Sequence, residues 1–514
     1  MEVHTTNNEF RTVNTPSEEF ALWFSTTAPL ILEYEKRVQE SPLHLSQVEK
    51  ELSVVFNEGI GLVIGGILNT TSKEASVIAQ VKEIQQSSGT PLRAPIRSTI
   101  VIRLLCGIIL SVTTLYCAPK SRGKFRDPTE ARTGLYPELA AYGFAKKSSA
   151  AFEEFVARRV ALCPSFEVAT RELNREGIKI NVKEVRRIAL QFGESILAMR
   201  LIMVQEFLAG TLSAGDALAG KRVVVEFDGG RVKERVSKAQ TRKQKGKHPK
   251  YQTYWREPKV LIIYIVDEHG KKRKESRVWM DGTFQGPDHL AELLACRLYQ
   301  LGISQAESIT FIADGAPWIW DRFDWIVETL KLPKSKVQYV LDFYHAAHHI
   351  SLALAELGLP DTERRILFKE LRKELKNSRW RVVVEKLKEL GSDLLSDEES
   401  TFGREVRFLV KHGEADHLNY TTYTRRGLPL GSGAVESAIR RVINLRLKGN
   451  GIFWTEENAE SMLQIRCQLL STEWDVVLDE LQRHRQKTRR RKWQWEATDH
   501  SKKAQNEAKP AEKN

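Results

Sequence analysis

Between residues 222 and 345 the chain carries short, β-branched apolar runs that finish on or beside an aspartate, and this constrains the fold more than any other feature. The runs are RVVVEFD (222–228), KVLIIYIVD (259–267), ESITFIADG (307–315) and VQYVLDFYH (337–345). Runs of four to eight consecutive apolar residues suit strands buried on both faces. KESRVWMDG (274–282) predicts another strand, third in order. GPDHLAELLACRLYQLG and APWIWDRFDWIVETL have helical spacing, and a helix follows residue 345.

The order is three strands, helix, strand, helix, strand, helix. It predicts an α/β (α+β mixed) chain built on a ribonuclease-H-like core. In such a sheet the first and fourth strands are parallel neighbours, and a crevice opens at their carboxyl ends. Asp228 ends the first strand and Asp314 the fourth, each followed by a glycine (Gly229, Gly315) that lets a phosphate approach the backbone. Strands pair about 4.8 Å apart, so these two carboxylates can share two divalent ions about 3.5 to 4 Å apart, the arrangement of in-line phosphodiester cleavage. Magnesium, or manganese in its place, suits such a site because it needs few protein carboxylates.

A third acid is expected from a helix. Glu436 lies in the first turn of the helix after GSG, where the helix dipole favours its charge. A surface ion pair with Arg440, one turn on, is the plain alternative. Asp342 competes from the fifth strand with His345, His348 and His349 behind it; an auxiliary role is expected for Asp342 and His345, and solvent or core for the other two histidines. His345 and His349 have a zinc-compatible spacing, without the HExxH glutamate. Asp267 and Asp281 read as turn residues, and Trp318, Trp320 and Trp325 as core.

The rest of the chain divides by texture. Residues 1–95 read as a helical region and 96–122 as a β-hairpin turning near Gly107. Residues 99–117 are apolar enough to raise a membrane span, but Arg103, Gly107 and the β-branched content favour the hairpin. Residues 123–215 read as a helical, helix-turn-helix-like DNA-binding domain; the alternative for 165–193 is an ordinary helical hairpin. Ser165 and Asn181 open its two helices, Gly177 turns between them, and Arg186 and Arg187 ride on the second. The core occupies 216–350, a charged helical insertion 351–425, two C-terminal helices completing the core 426–475, and a basic, partly disordered tail 476–514.

Charge supports a polyanionic partner. Lys and Arg total 79 against 66 acids, a formal +13. Nine of the basic residues fall in 231–250, read as a basic loop beside Asp228 that suits contact with a DNA backbone. Arg231 and Lys233 in that run, and Arg440, Arg441, Arg446 and Lys448 beyond Glu436, are the candidate DNA contacts in the core. Five scattered cysteines without a CxxC pair fit neither a disulfide framework nor a zinc ribbon and point to a reducing cytoplasm. No signal peptide is expected from MEVHTTNNEF.

The strings FDGGRV, ADGAPWIW, LDFYHAAHH and GSGAVESAIRRVINLRLKGNG, in this order, resemble the Kra-type transposases of bacterial and cyanobacterial insertion sequences. That DDE group is distantly similar to mutator-type transposases, and the resemblance runs from about residue 18 to 475, including GLYPELAAYGF. It implies a DNA transposase in which Asp228, Asp314 and Glu436 hold two Mg2+ or Mn2+ ions. Its partners would be double-stranded DNA (terminal inverted repeats and target) and further copies of itself, without a membrane. Mutator-type relatives carry a Cys and a His three apart after the fifth strand; Asp342 and His345 stand there in this chain. Where relatives have a cysteine-rich zinc stretch, only Cys106 and Cys117 remain. A nuclease on the same fold and a catalytically retired DNA-binding protein are the rival readings, with a glycosidase acid pair further off.

Overall fold

The apolar runs form strands, and their aspartates fall at or just past the strand ends. The computed structural model describes residues 1–5, 12–86, 92–120, 134–144, 147–237, 251–272, 275–395 and 400–487. The chain divides into two compact units, Met1–Leu201 with Asp475–Trp495, and Ile202–Trp474 with Glu496–Asn514.

The first unit contains β1 (Glu2–Thr5), α1 (Pro16–Glu40), α2 (Leu45–Thr71), α3 (Ala75–Gln86), β2 (Ile96–Arg103), β3 (Ile109–Tyr116), α4 (Pro137–Ala141), α5 (Ala150–Leu162), α6 (Phe166–Arg175) and most of α7 (Val182–Leu208). β2 and β3 form the expected hairpin, with Gly107 at φ +81 in its turn. β1 pairs on the far side of β3. Alternation buries Ile100, Ile102, Leu110 and Val112 together with Val3 and Leu68, so the apolar stretch at 99–117 is a sheet and not a membrane helix. By length and composition alone, Pro42–Thr71 and Val182–Leu208 do reach the dimensions of a span.

The helix, glycine turn and helix expected after Ser165 are present as α6 and α7. Val168 N donates to Ser165 Oγ at 3.1 Å and Glu184 N to Asn181 Oδ1 at 3.0 Å, so each helix start has its side-chain acceptor. Gly177, at φ +84, makes the turn.

The second unit holds β4 (Arg222–Gly229), β5 (Val232–Ser237), β6 (Tyr251–Arg256), β7 (Lys259–Val266), β8 (Val278–Thr283), α8 (Pro287–Gln300), β9 (Ser308–Ala313), α9 (Pro317–Thr329), β10 (Val337–Leu341) and α10 (Phe343–Ala355). The helices α11 (Asp361–Lys376), α12 (Trp380–Leu390), α13 (Thr401–Glu414), α14 (Tyr420–Arg425), α15 (Gly433–Ile439) and α16 (Glu456–Leu470) follow; α17 (Trp474–Lys487) ends the described chain and from Asp475 onward belongs to the first unit. Five strands form a mixed sheet in the order β10-β9-β4-β7-β8. β4, β9 and β10 are parallel, while β7 runs antiparallel to β4 and β8 to β7. On one face Phe227 meets Phe323 and Trp318 of α9 at 4.7 and 5.4 Å between ring centroids. At the β8 edge, Ser471 and Thr472 hydroxyls accept from Met280 N and Val278 N, both at 2.9 Å, which covers an open strand edge.

Several expectations need correction. The basic run 231–250 is not wholly a loop: residues 232–237 form β5, paired antiparallel with β6, while 238–250 lie outside the described residues. Asp281 is a buried strand residue opposite Leu261 and not a turn residue, whereas Asp267 does hold a turn by accepting from His269 N and Lys271 N. The helix after GSG is not continuous, because α15 gives way to a π-turn over Arg440–Asn444. Trp320 is buried, but Trp325 is 40% exposed and does not belong to the core. The tail beyond residue 487 lies outside the described residues.

Truncating Phe227 to alanine removes two aromatic contacts and leaves a cavity under the sheet. Phe227→Ala is expected to lower unfolding stability by about 3 to 5 kcal/mol, read as a clear fall in the urea midpoint.

Candidate functional site at the ends of three parallel strands

Three aspartates lie level at the carboxyl ends of neighbouring strands. The β4–β9 register pairs Glu226 with Ile312, and the β9–β10 register pairs Ala313 with Leu341. Continued past the paired residues, these registers set Asp228 beside Asp314 and Asp314 beside Asp342. Asp342 N still donates to Ala313 O at 2.8 Å. Most of each strand is apolar and buried, and the strand ends are where aspartates can meet solvent and ligands. Asp228 Oδ1 accepts from Gly229 N at 2.6 Å, and Asp314 Oδ1 from Ala316 N at 2.9 Å. The turn after Asp314 requires glycine: Gly315 has φ +95, and a Cβ there would stand 2.5 Å from Phe408 Cζ.

Glu436 reaches this place because the segment before it is tied to the sheet. Ser432 donates to Asp342 Oδ2 from its backbone N at 2.6 Å and its hydroxyl at 2.5 Å. Phe343 N donates to Leu430 O at 2.8 Å. Val435 N donates to Glu226 Oε2 at 2.8 Å, and Tyr264 Oη donates to Glu226 Oε1 at 2.5 Å. Glu226 is fully buried on β4, two residues before Asp228 and on the same face. Asp342 also caps α10, accepting from Tyr344 N at 2.6 Å and His345 N at 3.0 Å. Gly230 allows the π-turn to close on the end of β4, since a Cβ there would meet Ile443 Cδ1 at 2.4 Å.

Electrostatics mark the same spot. Burial, reinforced by the charge of Asp314, pushes the Asp228 pKa up to about 6 despite the Gly229 hydrogen bond, Lys259 and His345. Burial likewise raises Glu226 to about 7, with Asp342 and Glu436 adding repulsion and its two hydrogen bonds opposing. For Asp342 burial acts upward, but His345 and the Ser432 donors outweigh it and bring the carboxyl down to about 2. Its carboxylate raises the pKa of His345, to which Asp314 and Glu436 also contribute. Ligand atoms of Asp342, His345 and Glu436 all lie within 4.8 Å of one another, close enough to hold one metal ion. Lys259 borders the site, with its ammonium 4.0 Å from the Trp318 ring centroid and 2.9 Å from Glu257.

Glu436 forms no ion pair with Arg440 among the described residues and is exposed. The auxiliary candidates Asp342 and His345 stand directly beside it. His349 turns elsewhere, bonding to Glu405 and stacking on Phe408, so it does not share a metal with His345; His348 is exposed. Arg231, Arg440 and Lys448 are exposed, and Arg441 and Lys233 are half-buried. Arg446 is not a surface DNA contact: it is 2% exposed, with its guanidinium over the Trp454 ring. On α7, Arg186 is exposed, but Arg187 is occupied by a two-pronged pairing with Glu184 and a bond to Gln191. Sequence reasoning missed Glu226 altogether, although a lone acid inside RVVVEFD, in phase with Asp228, was a visible signal. No protein-family model, no curated protein and no solved structure matches this chain.

Glu226→Ala leaves the Val435 N–H without its acceptor, and a loss of about 1 to 3 kcal/mol in stability is expected. Glu226→Gln can accept from Val435 N and donate to Tyr264, so it should keep the tether. Because the folded-state pKa is raised from 4.5 to about 7, this group costs the folded protein increasing stability as pH rises across that interval. Urea midpoints between pH 5 and 8 should therefore fall less in Glu226→Gln than in the parent; equal slopes would contradict the assignment.

Proposed function

We propose that this chain is a DNA transposase of the Kra-type group, with a ribonuclease-H-like core that cleaves a phosphodiester bond and joins the freed 3′ hydroxyl to target DNA. The observation carrying this reading is the level row of Asp228, Asp314 and Asp342 at parallel strand ends, with Glu436 delivered beside it by a tethered helix. The carboxyl ends of such strands are where open α/β sheets bind ligands. Strand order and directions support the ribonuclease-H-like reading.

The donor set fits hard divalent cations, Mg2+ or Mn2+. Asp228 and Asp314 each keep one carboxylate oxygen without a hydrogen bond among the described residues, and Glu436 keeps both. Asp342 has both oxygens engaged by backbone and Ser432 donors, which suits it to holding α10 and the 430–432 loop. Asp228, Asp314 and Glu436 would hold two such ions, which when bound supply an activated oxygen nucleophile and charge for the leaving oxygen. The sheet gives the two aspartates a rigid base, and the double tether brings Glu436 beside Asp342 at the end of the row. Exposed Arg231, Arg440 and Lys448 offer phosphate contacts along the approach. The α6–α7 unit, with Arg186 on its surface, is assigned to the terminal inverted repeats. Two element ends must be joined, so two or more copies act together on the DNA. A bacterial cytoplasm is the proposed setting.

Incubation of purified protein with paired element ends and Mg2+ should yield cut and joined products. Asp228→Asn should bind the ends but cut nothing, and full cleavage by that variant would sink the assignment. Cleavage without any joined product would favour the nuclease reading.

Metal binding should also depend on pH. With Asp228 titrating near 6, an ion must displace a proton below that pH. Mn2+ should bind about fourfold more tightly at pH 7.5 than at pH 5.5, measured by calorimetry. Asp228→Asn should weaken binding at both pH values and remove the step; affinity in the parent that ignores pH would contradict it.

A further inference from the structure

β5 and β6 form a two-stranded ribbon inserted between the Asp228 strand and β7, outside the five-stranded sheet. Alternation sorts its side chains onto two faces. The inner face carries buried Val232 and Glu234, and Arg256, which pairs with Glu456 at 2.9 Å. Two backbone bonds fasten this ribbon to the chain before α16: Arg235 N to Trp454 O at 2.8 Å and Trp454 N to Lys233 O at 3.2 Å. At its base, Gly230 N donates to Pro258 O at 2.9 Å, two residues from Asp228.

The outer face is of a different kind. It holds Lys233, Arg235, Tyr251, Thr253 and Trp255, with Lys233 directly opposite Trp255 and Arg235 opposite Thr253. The Lys233 ammonium stands 5.0 Å from the Trp255 centroid, and the Arg235 guanidinium 5.9 Å from that of Tyr251. Trp255 is 56% exposed and Tyr251 47%, so neither is serving as core. Four residues apart on one strand, the two rings are spaced by about 13 Å. Exposed aromatics on a short ribbon invite association unless charge guards them; here cations lie against each ring.

We propose that this face binds unpaired DNA nucleotides beside the scissile phosphate, with Trp255 and Tyr251 stacking on bases and Lys233 and Arg235 meeting phosphates. The inference rests on the reading of the chain as a DNA-cutting enzyme. Aromatic faces select unpaired strands because bases within a duplex are already stacked on each other, whereas every unpaired base offers a free π-face. The interleaved cations supply the electrostatic complement to the backbone. The ribbon leaves β4 immediately after Asp228, so a strand lying on it runs next to the strand-end acids.

The test is fluorescence anisotropy of the full chain, without divalent metal, against a labelled oligothymidine and a blunt duplex. Trp255→Ala and Tyr251→Ala should each weaken single-strand binding by roughly tenfold or more, leave duplex binding unchanged, and leave the salt slope unaltered. Trp255→Phe should recover most of the loss, which separates stacking from misfolding. Lys233→Ala should instead flatten the salt dependence. Unchanged single-strand affinity in the alanine variants, equal losses on both DNAs, or no single-strand binding by the parent would overturn the proposal. The parent's cleavage of paired element ends separates the two claims. Cutting with unaffected ribbon variants removes the ribbon alone, whereas ribbon-dependent binding without cutting removes the transposase reading and leaves the surface.

Discussion

A carboxylate buried in protein must find donors or give up its charge, and Glu226 and Asp342 find theirs on one short segment. Asp342 takes both donors of Ser432, and Glu226 takes Val435 N. The residue that follows is Glu436. α15 is seven residues long before it yields to a π-turn, too short to hold its own position in water. Its placement is therefore set by the sheet. Burial, with lesser repulsion from Asp342 and Glu436, raises the Glu226 pKa, whereas Asp342, richer in donors, is held below the ordinary carboxylate range.

Legibility of the fold follows burial. β4, β7, β9 and β10 are largely buried, so their sequences read as nearly continuous apolar runs and could be placed to within a few residues. The hairpin at 96–116 was legible for a related reason, since its β-branched residues and Gly107 fit a tight turn better than a helix. The β5–β6 ribbon was hidden. VKERVS does alternate, but Glu234 takes an inward position and the outward cations read as part of a basic loop. Nor does local sequence carry the division into two units, because it depends on contacts between distant segments such as β1 and β3.

Within the site, Asp228 and Asp314 were legible because an acid followed by glycine at the end of a buried run has few other places to go. Glu436 was not singled out by periodicity, because an acid in a first helical turn is common; only the tether through Ser432 and Val435 gives it a physical address. Charge alone misled at Arg446, which is buried with its guanidinium over a tryptophan ring. Asp281 misled through its Asp-Gly pair, which suggests a turn in sequence yet lies inside β8. Each of these errors concerns environment, which spacing along the chain does not encode.

The central claim is that three particular acids hold divalent metal for DNA cleavage. Its most direct test is a crystal of the protein soaked in Mn2+ and measured for anomalous scattering at the manganese edge. The expected result is density coordinated by Asp228, Asp314 and Glu436, lost in Asp228→Asn. Density confined to Asp342 and His345, or none at the strand ends, would contradict it.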